Sequence, residues 1–172
     1  MKINFFDKKY ISEPSRNNAK YGIIDADNRT KKPAYTTLLH CEEWEAVVIN
    51  NGTKNIQFVA VDHNIVLLKK QGRLKDDSCD GFLYTVDTND KLCFVEIKGG
   101  DGVKNWANDA FKQLQTTLRH FNMSHKNIDY KEKVAYAANA VHPEFVTFKA
   151  TRKEKFIDKT GFDLQFCYKI VF

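Results

Sequence analysis

Apolar residues recur in two rhythms along the chain. Short runs rich in β-branched and aromatic residues fall at 56–61, 65–68, 81–86, 92–98, 134–140, 144–149 and 164–171. Such runs, bounded by turn-forming residues, predict strands. Asp87-Thr88-Asn89-Asp90 lies between two of them and reads as a hairpin turn. A helical rhythm predicts two helices. The first is capped by Thr36 or Thr37 and runs to about residue 49, where Asn50-Asn51-Gly52 stops it. Leu38, Leu39, Glu42, Ala46 and Ile49 share one face of it, and Cys41, Trp44 and Val48 line another. A helix apolar on two faces is largely buried, which sets Glu42 among apolar neighbours. The second helix spans about 103–121, with Ala107, Ala110, Phe111, Leu114, Leu118 and Phe121 in one stripe and Gln113 and Gln115 on its borders. The first 34 residues are polar and predict an irregular arm or short strands, with 21–24 as one candidate strand. This arm reads either as a solvated leader or as a segment that contacts phosphates.

The order helix, several strands, helix, strand predicts an α/β sandwich with a mixed central sheet flanked by helices. At 172 residues the chain fits one domain, 1–172. Within it, 1–35 reads as a polar N-terminal arm, 36–140 as the core and 141–172 as C-terminal strands. A hydrophobic fraction of 42% with 13 Phe, 7 Tyr and 2 Trp excludes a disordered polymer. The net charge of +5 suits a polyanionic partner without requiring one. Cys41, Cys79, Cys93 and Cys167 are widely spaced, form no CxxC and sit in apolar or strand-like contexts, so a zinc site is not expected. The sequence turns polar directly after Met1, and no apolar run approaches the length of a membrane span. A cytoplasmic, reducing setting with no membrane partner is the expectation.

Chemistry concentrates between residues 80 and 98. Cys79-Asp80-Gly81-Phe82-Leu83 opens one strand, and Phe94-Val95-Glu96-Ile97-Lys98-Gly99-Gly100 closes the next. Alternate residues of a strand share a face, so Glu96 and Lys98 point the same way. If the two strands pair around the 87–90 turn, Asp80 lies across from the Glu96–Lys98 end. Magnesium favours oxygen ligands and is held by one or two carboxylates plus substrate phosphate. Asp80, Glu96 and the carbonyl of Ile97 would supply that partial shell, activating water and polarising a phosphodiester. Lys98, protonated beside carboxylates, suits positioning and charge stabilisation. Gly99 and Gly100 leave room for a phosphodiester backbone. The expected activity is that of a metal-dependent nuclease, against the alternative of a solvated hairpin with Glu and Lys two residues apart.

These residues resemble the PD-(D/E)xK, or restriction-endonuclease-like, nuclease superfamily. The matching parts are Cys-Asp80-Gly-Phe-Leu, Phe-Val-Glu96-Ile-Lys98-Gly-Gly and Phe-Lys-Gln113-Leu-Gln. The resemblance covers roughly 36–140. It implies an α-β-β-β-α-β core, Mg2+ or Mn2+ dependence, and phosphodiester hydrolysis in nucleic acid, DNA first. By it, Asp80 and Glu96 would be metal ligands, Lys98 the catalytic lysine and Gln113 a residue near the substrate. An acidic residue on the first helix would reach the metal, Glu42 first and Glu45 second. A homodimer would allow both strands to be cut. Cys79 stands where the family name places Pro, and the arm and the tail after Pro143 match no part of the family pattern.

Basic residues add candidate nucleic-acid contacts. Lys104, Lys112 and Arg119 are expected near the proposed site, where they could touch phosphates, and Arg152 and Lys153 lie in a run with Lys149, Lys155 and interleaved Phe148 and Phe156. For each, a solvated basic face is the plainer reading. The five histidines are scattered, no Ser-His-Asp set is apparent, and Gly99-Gly100-Asp101-Gly102 lacks the Lys-Ser/Thr of a P-loop. A rival to the enzyme is a non-cleaving module of the same fold that binds nucleic acid or protein. A third reading is an unrelated mixed α/β domain.

Overall fold

The computed structural model of the chain describes residues 2–25, 31–69, 72, 74–99, 105–142 and 148–172. Nine strands and two helices are named among them: β1 (Lys20–Ile24), β2 (Tyr35–Thr37), β3 (Ala46–Ile49), β4 (Ile56–Ala60), β5 (Gly81–Thr85), β6 (Lys91–Ile97), α1 (Trp106–Ser124), β7 (Glu132–Ala138), α2 (Ala150–Thr160), β8 (Asp163–Phe166) and β9 (Lys169–Val171). The fold is mixed α/β with two mixed sheets. One sheet has the order β4-β5-β6-β7-β8, antiparallel from β4 to β6 and parallel from β6 to β8. The other has the order β2-β1-β3-β9, with β3 and β9 parallel.

Strand alternation divides the interior into two layers. Leu92 and Phe94 of β6, Phe82 of β5, and Ala135 and Ala137 of β7 face α1 and α2, where they meet Ala110, Leu114, Leu118, Phe121 and Phe156. Their neighbours Leu83, Cys93, Val95, Ile97, Val134, Tyr136 and Ala138 face the second sheet, where they meet Tyr21, Ile23, Ala46, Val48 and Ile170. Strands β5 and β6 therefore carry apolar residues at consecutive positions, as strands covered on both faces do. The helices cover one face only, and the second sheet covers the other. Phe5, from the polar N-terminal arm, is fully buried on the helical side. Gly22 lets β1 lie against the Trp44 indole, where an added Cβ would sit 2.1 Å from the ring.

Five expectations are corrected. The helix over 36–49 does not form. That stretch holds β2, a 3₁₀ turn at Cys41–Glu43 and β3. The run Ala46-Val47-Val48-Ile49 is β-branched and pairs with β1, His40 breaks the path at φ 53°, and Leu38 and Leu39 are exposed. The α-β-β-β-α-β order thus lacks its leading helix. The stretch 65–68 carries only a single bridge, Leu68 to Lys75. The tail is not all strand, because α2 occupies part of it; of the predicted strand at 144–149, residues 144–147 lie outside the described residues and Phe148 and Lys149 only lead into α2. The run 164–171 is two strands in different sheets, split at Cys167 and Tyr168. Cys41, expected in an apolar context, is exposed. No helix among the described residues is long and apolar enough to cross a membrane.

Candidate metal centre

The predicted hairpin forms in the register that the chemistry requires. Gly81 pairs with Val95 in the antiparallel ladder, which sets Asp80 opposite Glu96 at the sheet end. The Ile97 amide donates to Asp80 Oδ2 at 2.6 Å. The backbone of the same residue is held from the other side, where the Val61 amide donates to the Asp80 carbonyl. From α1, Thr117 Oγ1 accepts the Cys79 amide at 2.8 Å, so the helix fixes the segment that presents Asp80. The ladder between β6 and β7 extends by one further bond, from the Lys98 amide to the Ala138 carbonyl. The backbone from Glu96 to Lys98 is thus held on both edges.

Glu96 is 1% exposed and Asp80 7%. Glu96 Oε1 meets Lys98 Nζ at 2.5 Å. Lys98 Nζ also donates to Gln113 Oε1 at 2.6 Å, and Gln113 Nε2 donates to the Ser78 carbonyl. Asp80, Glu96, Lys98 and Gln113, the catalytic candidates, are therefore brought together by three elements. They line a cavity of about 250 Å³ with Ile97, Gly99, Asp25, Asp62 and Asp109. Burial, then the charge of Glu96, pushes the Asp80 carboxyl well above the usual range. Burial raises Glu96 to about 8, against the pull of the Lys98 amine. Burial lowers Lys98, but its contacts with Glu96 and the nearby charge of Asp80 outweigh that and raise it, so the amine stays charged.

The donor set suits a hard divalent cation. It consists of carboxylate oxygens and one backbone carbonyl, as magnesium and manganese favour. Among the described residues, four aspartates, one glutamate and one lysine line the cavity, with Asp62 also paired to Lys75 and Asp109 to Lys112, and Glu96 Oε2 is buried with no hydrogen-bond partner. A buried carboxylate oxygen without a donor is unfavourable unless another positive group meets it. Asp80, Glu96 and Ile97 would hold such an ion.

Other candidates fall elsewhere. Glu42 does not reach the site. Its side chain is 71% exposed and sits beside His40 on the 3₁₀ turn, because the helix that would have carried it inward is absent. Glu45 comes closer. Its Oε2 accepts the Asp25 amide at 2.6 Å, and its Oε1 lies 3.2 Å from where a Cβ on Gly99 would sit. Lys112 is exposed one turn from the site and pairs with Asp109 at 3.7 Å. Arg119 turns away to Asp76. Arg152 packs 4.7 Å from the rings of both Phe111 and Phe148, and Lys153 lies over Phe166; these two join α2 to its surroundings. Lys104 and Gly100 lie outside the described residues.

Sequence reasoning missed Asp25, Asp62 and Asp109. Asp25 directly follows β1, and Asp62 follows the apolar run of β4 by one residue; each is the first acidic group after a buried strand. Asp109 stands four residues before Gln113 on α1, a spacing that places both on one helix face. That spacing was visible in the sequence. The approach of Asp25 depends on a second sheet that no local pattern announces. Asp62 is held by Lys75 at 2.7 Å and Ser78 at 3.0 Å, and these contacts lower its carboxyl despite burial.

No family model, curated protein or solved structure matches the chain.

Proposed function

We propose that this protein is a divalent-cation-dependent nuclease that hydrolyses phosphodiester bonds, with DNA as the first substrate to test. The observation that carries the reading is the meeting of Asp80, Glu96 and Lys98 in one cavity, with one oxygen of Glu96 left without a hydrogen-bond partner among the described residues. The succession β4, β5, β6, α1, β7 follows the β-β-β-α-β part of the restriction-endonuclease-like order. We read it as that core, with β2 and β3 of the second sheet occupying the stretch where the leading helix was expected. Asp25 and Glu45 then take the place foreseen for an acidic residue on that helix.

Magnesium or manganese, when bound, would polarise a phosphodiester and lower the pKa of water. The rest falls to the chain. Asp80 and Glu96 bind the cation, and Asp80 is oriented by the Ile97 amide. Lys98, held between Glu96 and Gln113, keeps its proton and stabilises negative charge that develops on the phosphoryl group. Gln113 fixes the amine and ties it to the Ser78 carbonyl. Gly99 lets Glu45 approach the strand end, where its Oε1 lies 3.2 Å from the position a Cβ would take.

The test is cleavage of end-labelled single- and double-stranded oligonucleotides with Mg2+ or Mn2+. Wild type should cut, and Asp80→Ala, Glu96→Ala and Lys98→Ala should each lower the rate by roughly a hundredfold or more. Salt-dependent DNA binding without cleavage would favour the non-cleaving module instead. Undiminished cleavage in all three variants would remove this site from the chemistry.

A further inference from the structure

A second cavity, of about 800 Å³, lies away from the carboxylates. Its walls come from the second half of α1, the start of β7 and the last turn of α2, and include Arg119, Lys126, Lys133 and Lys159. Lys133 pairs in register with Leu92. Four strand residues therefore separate this level from Glu96, or about 13 Å along the sheet. Among the described residues, no acidic side chain lines the cavity. Arg119 is matched by Asp76. Among the described residues, Lys126, Lys133 and Lys159 have no carboxylate within ion-pair distance. Lys133 instead lies over the Phe162 ring at 5.8 Å. Asn122 Nδ2 donates to the Thr160 carbonyl at 2.8 Å, tying α1 to the end of α2 beneath the opening.

Converging cations without counter-charges repel one another and create a field that attracts anions. One plain explanation is that lysines gather where helices end, because the C-terminal carbonyls carry partial negative charge. That accounts for Lys126, just beyond α1, and for Lys159, in the last turn of α2. It does not account for Lys133, on a strand; Arg119, inside α1, is already paired with Asp76. The volume lies in the range of ligand pockets, and Gln115, Thr116 and Arg119 add hydrogen-bond donors to the lining.

We infer that this cavity is a phosphate-binding site, taking either the backbone of a nucleic acid or a free polyphosphate such as a nucleotide. The inference does not depend on the carboxylate site being catalytic. The test uses the full chain as wild type, Lys126→Glu/Lys159→Glu, and the control Lys8→Glu/Lys169→Glu, which changes net charge equally elsewhere. Asp80→Asn serves as a variant of the carboxylate site. Probes are inorganic tripolyphosphate, ATP and a fluorescein-labelled single-stranded 20-mer, followed by anisotropy and by amide shifts. The double variant at the cavity should weaken binding on the order of tenfold at low salt and flatten the log-log salt slope for the 20-mer by about 1.4, while Asp80→Asn and the control retain binding. Shifts on Lys133, Arg119 and Lys159 with tripolyphosphate and ATP would assign a free polyphosphate; shifts there with the 20-mer alone would assign the backbone. Equal weakening in the control, or a change in thermal stability with no change in binding, would overturn the site.

Discussion

Glu96 carries the sharpest conflict in the molecule. One oxygen is satisfied by Lys98, the other by no donor among the described residues, and Asp80 stands across the ladder. Two buried carboxylates against one amine destabilise the metal-free fold, as functional groups commonly do. Asp80→Asn retains an oxygen for the Ile97 amide and removes a carboxyl whose ionisation burial and the charge of Glu96 disfavour. In metal-free buffer at pH 8 it should therefore stabilise the fold by about 1–2 kcal/mol, or about 2–8 °C in melting temperature. Manganese should reverse the order. A cation at a hundredfold over its Kd adds about 2.7 kcal/mol to a protein that binds it, and the gain should appear in wild type and vanish in Asp80→Asn. Calorimetric melts with and without manganese measure both effects, and an equal manganese shift in the two proteins would contradict the assignment. Asp80, Glu96 and Lys98 were legible in the sequence because strand parity and one turn fix their side and register. Asp25 was not, since its position depends on how two sheets stack.

Among the elements, α2 and the absent first helix show what local pattern conveys. The predicted helix over 36–49 rested on spacing alone; the β-branched run at its end and the neighbouring β1 decided for a strand. α2 went unseen because it is polar nearly all round and buries only Phe156 and Thr160. Its one clear signal was Gly161, which closes the helix at φ 74°. Arg152 anchors it. The guanidinium lies between Phe111 and Phe148 and donates to Asn108 Oδ1 at 2.5 Å. Arg152→Ala should cost about 1–3 kcal/mol through lost ring contacts and the lost hydrogen bond, measured by urea unfolding. Arg152→Lys should restore little of it, since an ammonium cannot stack as a planar fork does. A neutral Arg152→Ala would show that α2 is held by its other contacts, buried Phe156, Lys153 over Phe166 and the Asn122–Thr160 bond.

At the scale of the whole molecule, the N-terminal arm closes the helical side of the core. Phe5 inserts among Phe82, Phe94 and Phe121, and its amide donates to His125 Nε2 at 3.1 Å. Accepting that bond requires a neutral ring nitrogen. Burial lowers the His125 pKa below its ordinary 6.5, against a backbone contact with Ile3 that raises it. The unfolded chain therefore binds more protons in the window just below pH 6.5. The contribution of His125 is complete above that pH and is lost as pH falls through the folded value. Thermal stability should decline on acidification across this window, and His125→Gln, which keeps an acceptor and does not titrate, should flatten that part of the profile. An unchanged profile in the variant would assign the pH dependence to other groups. The polar composition of the first residues pointed to an arm; only the isolated apolar pair Phe5-Phe6 hinted that it docks.

The central claim is that Asp80 and Glu96 grip one divalent cation beside Lys98. A crystal soaked in manganese, with anomalous data collected at the manganese edge, tests it most directly. A peak is expected within coordination distance of both carboxylates and the Ile97 carbonyl in wild type, and none in Asp80→Asn. An empty cavity in wild type, or manganese bound only elsewhere, would contradict it.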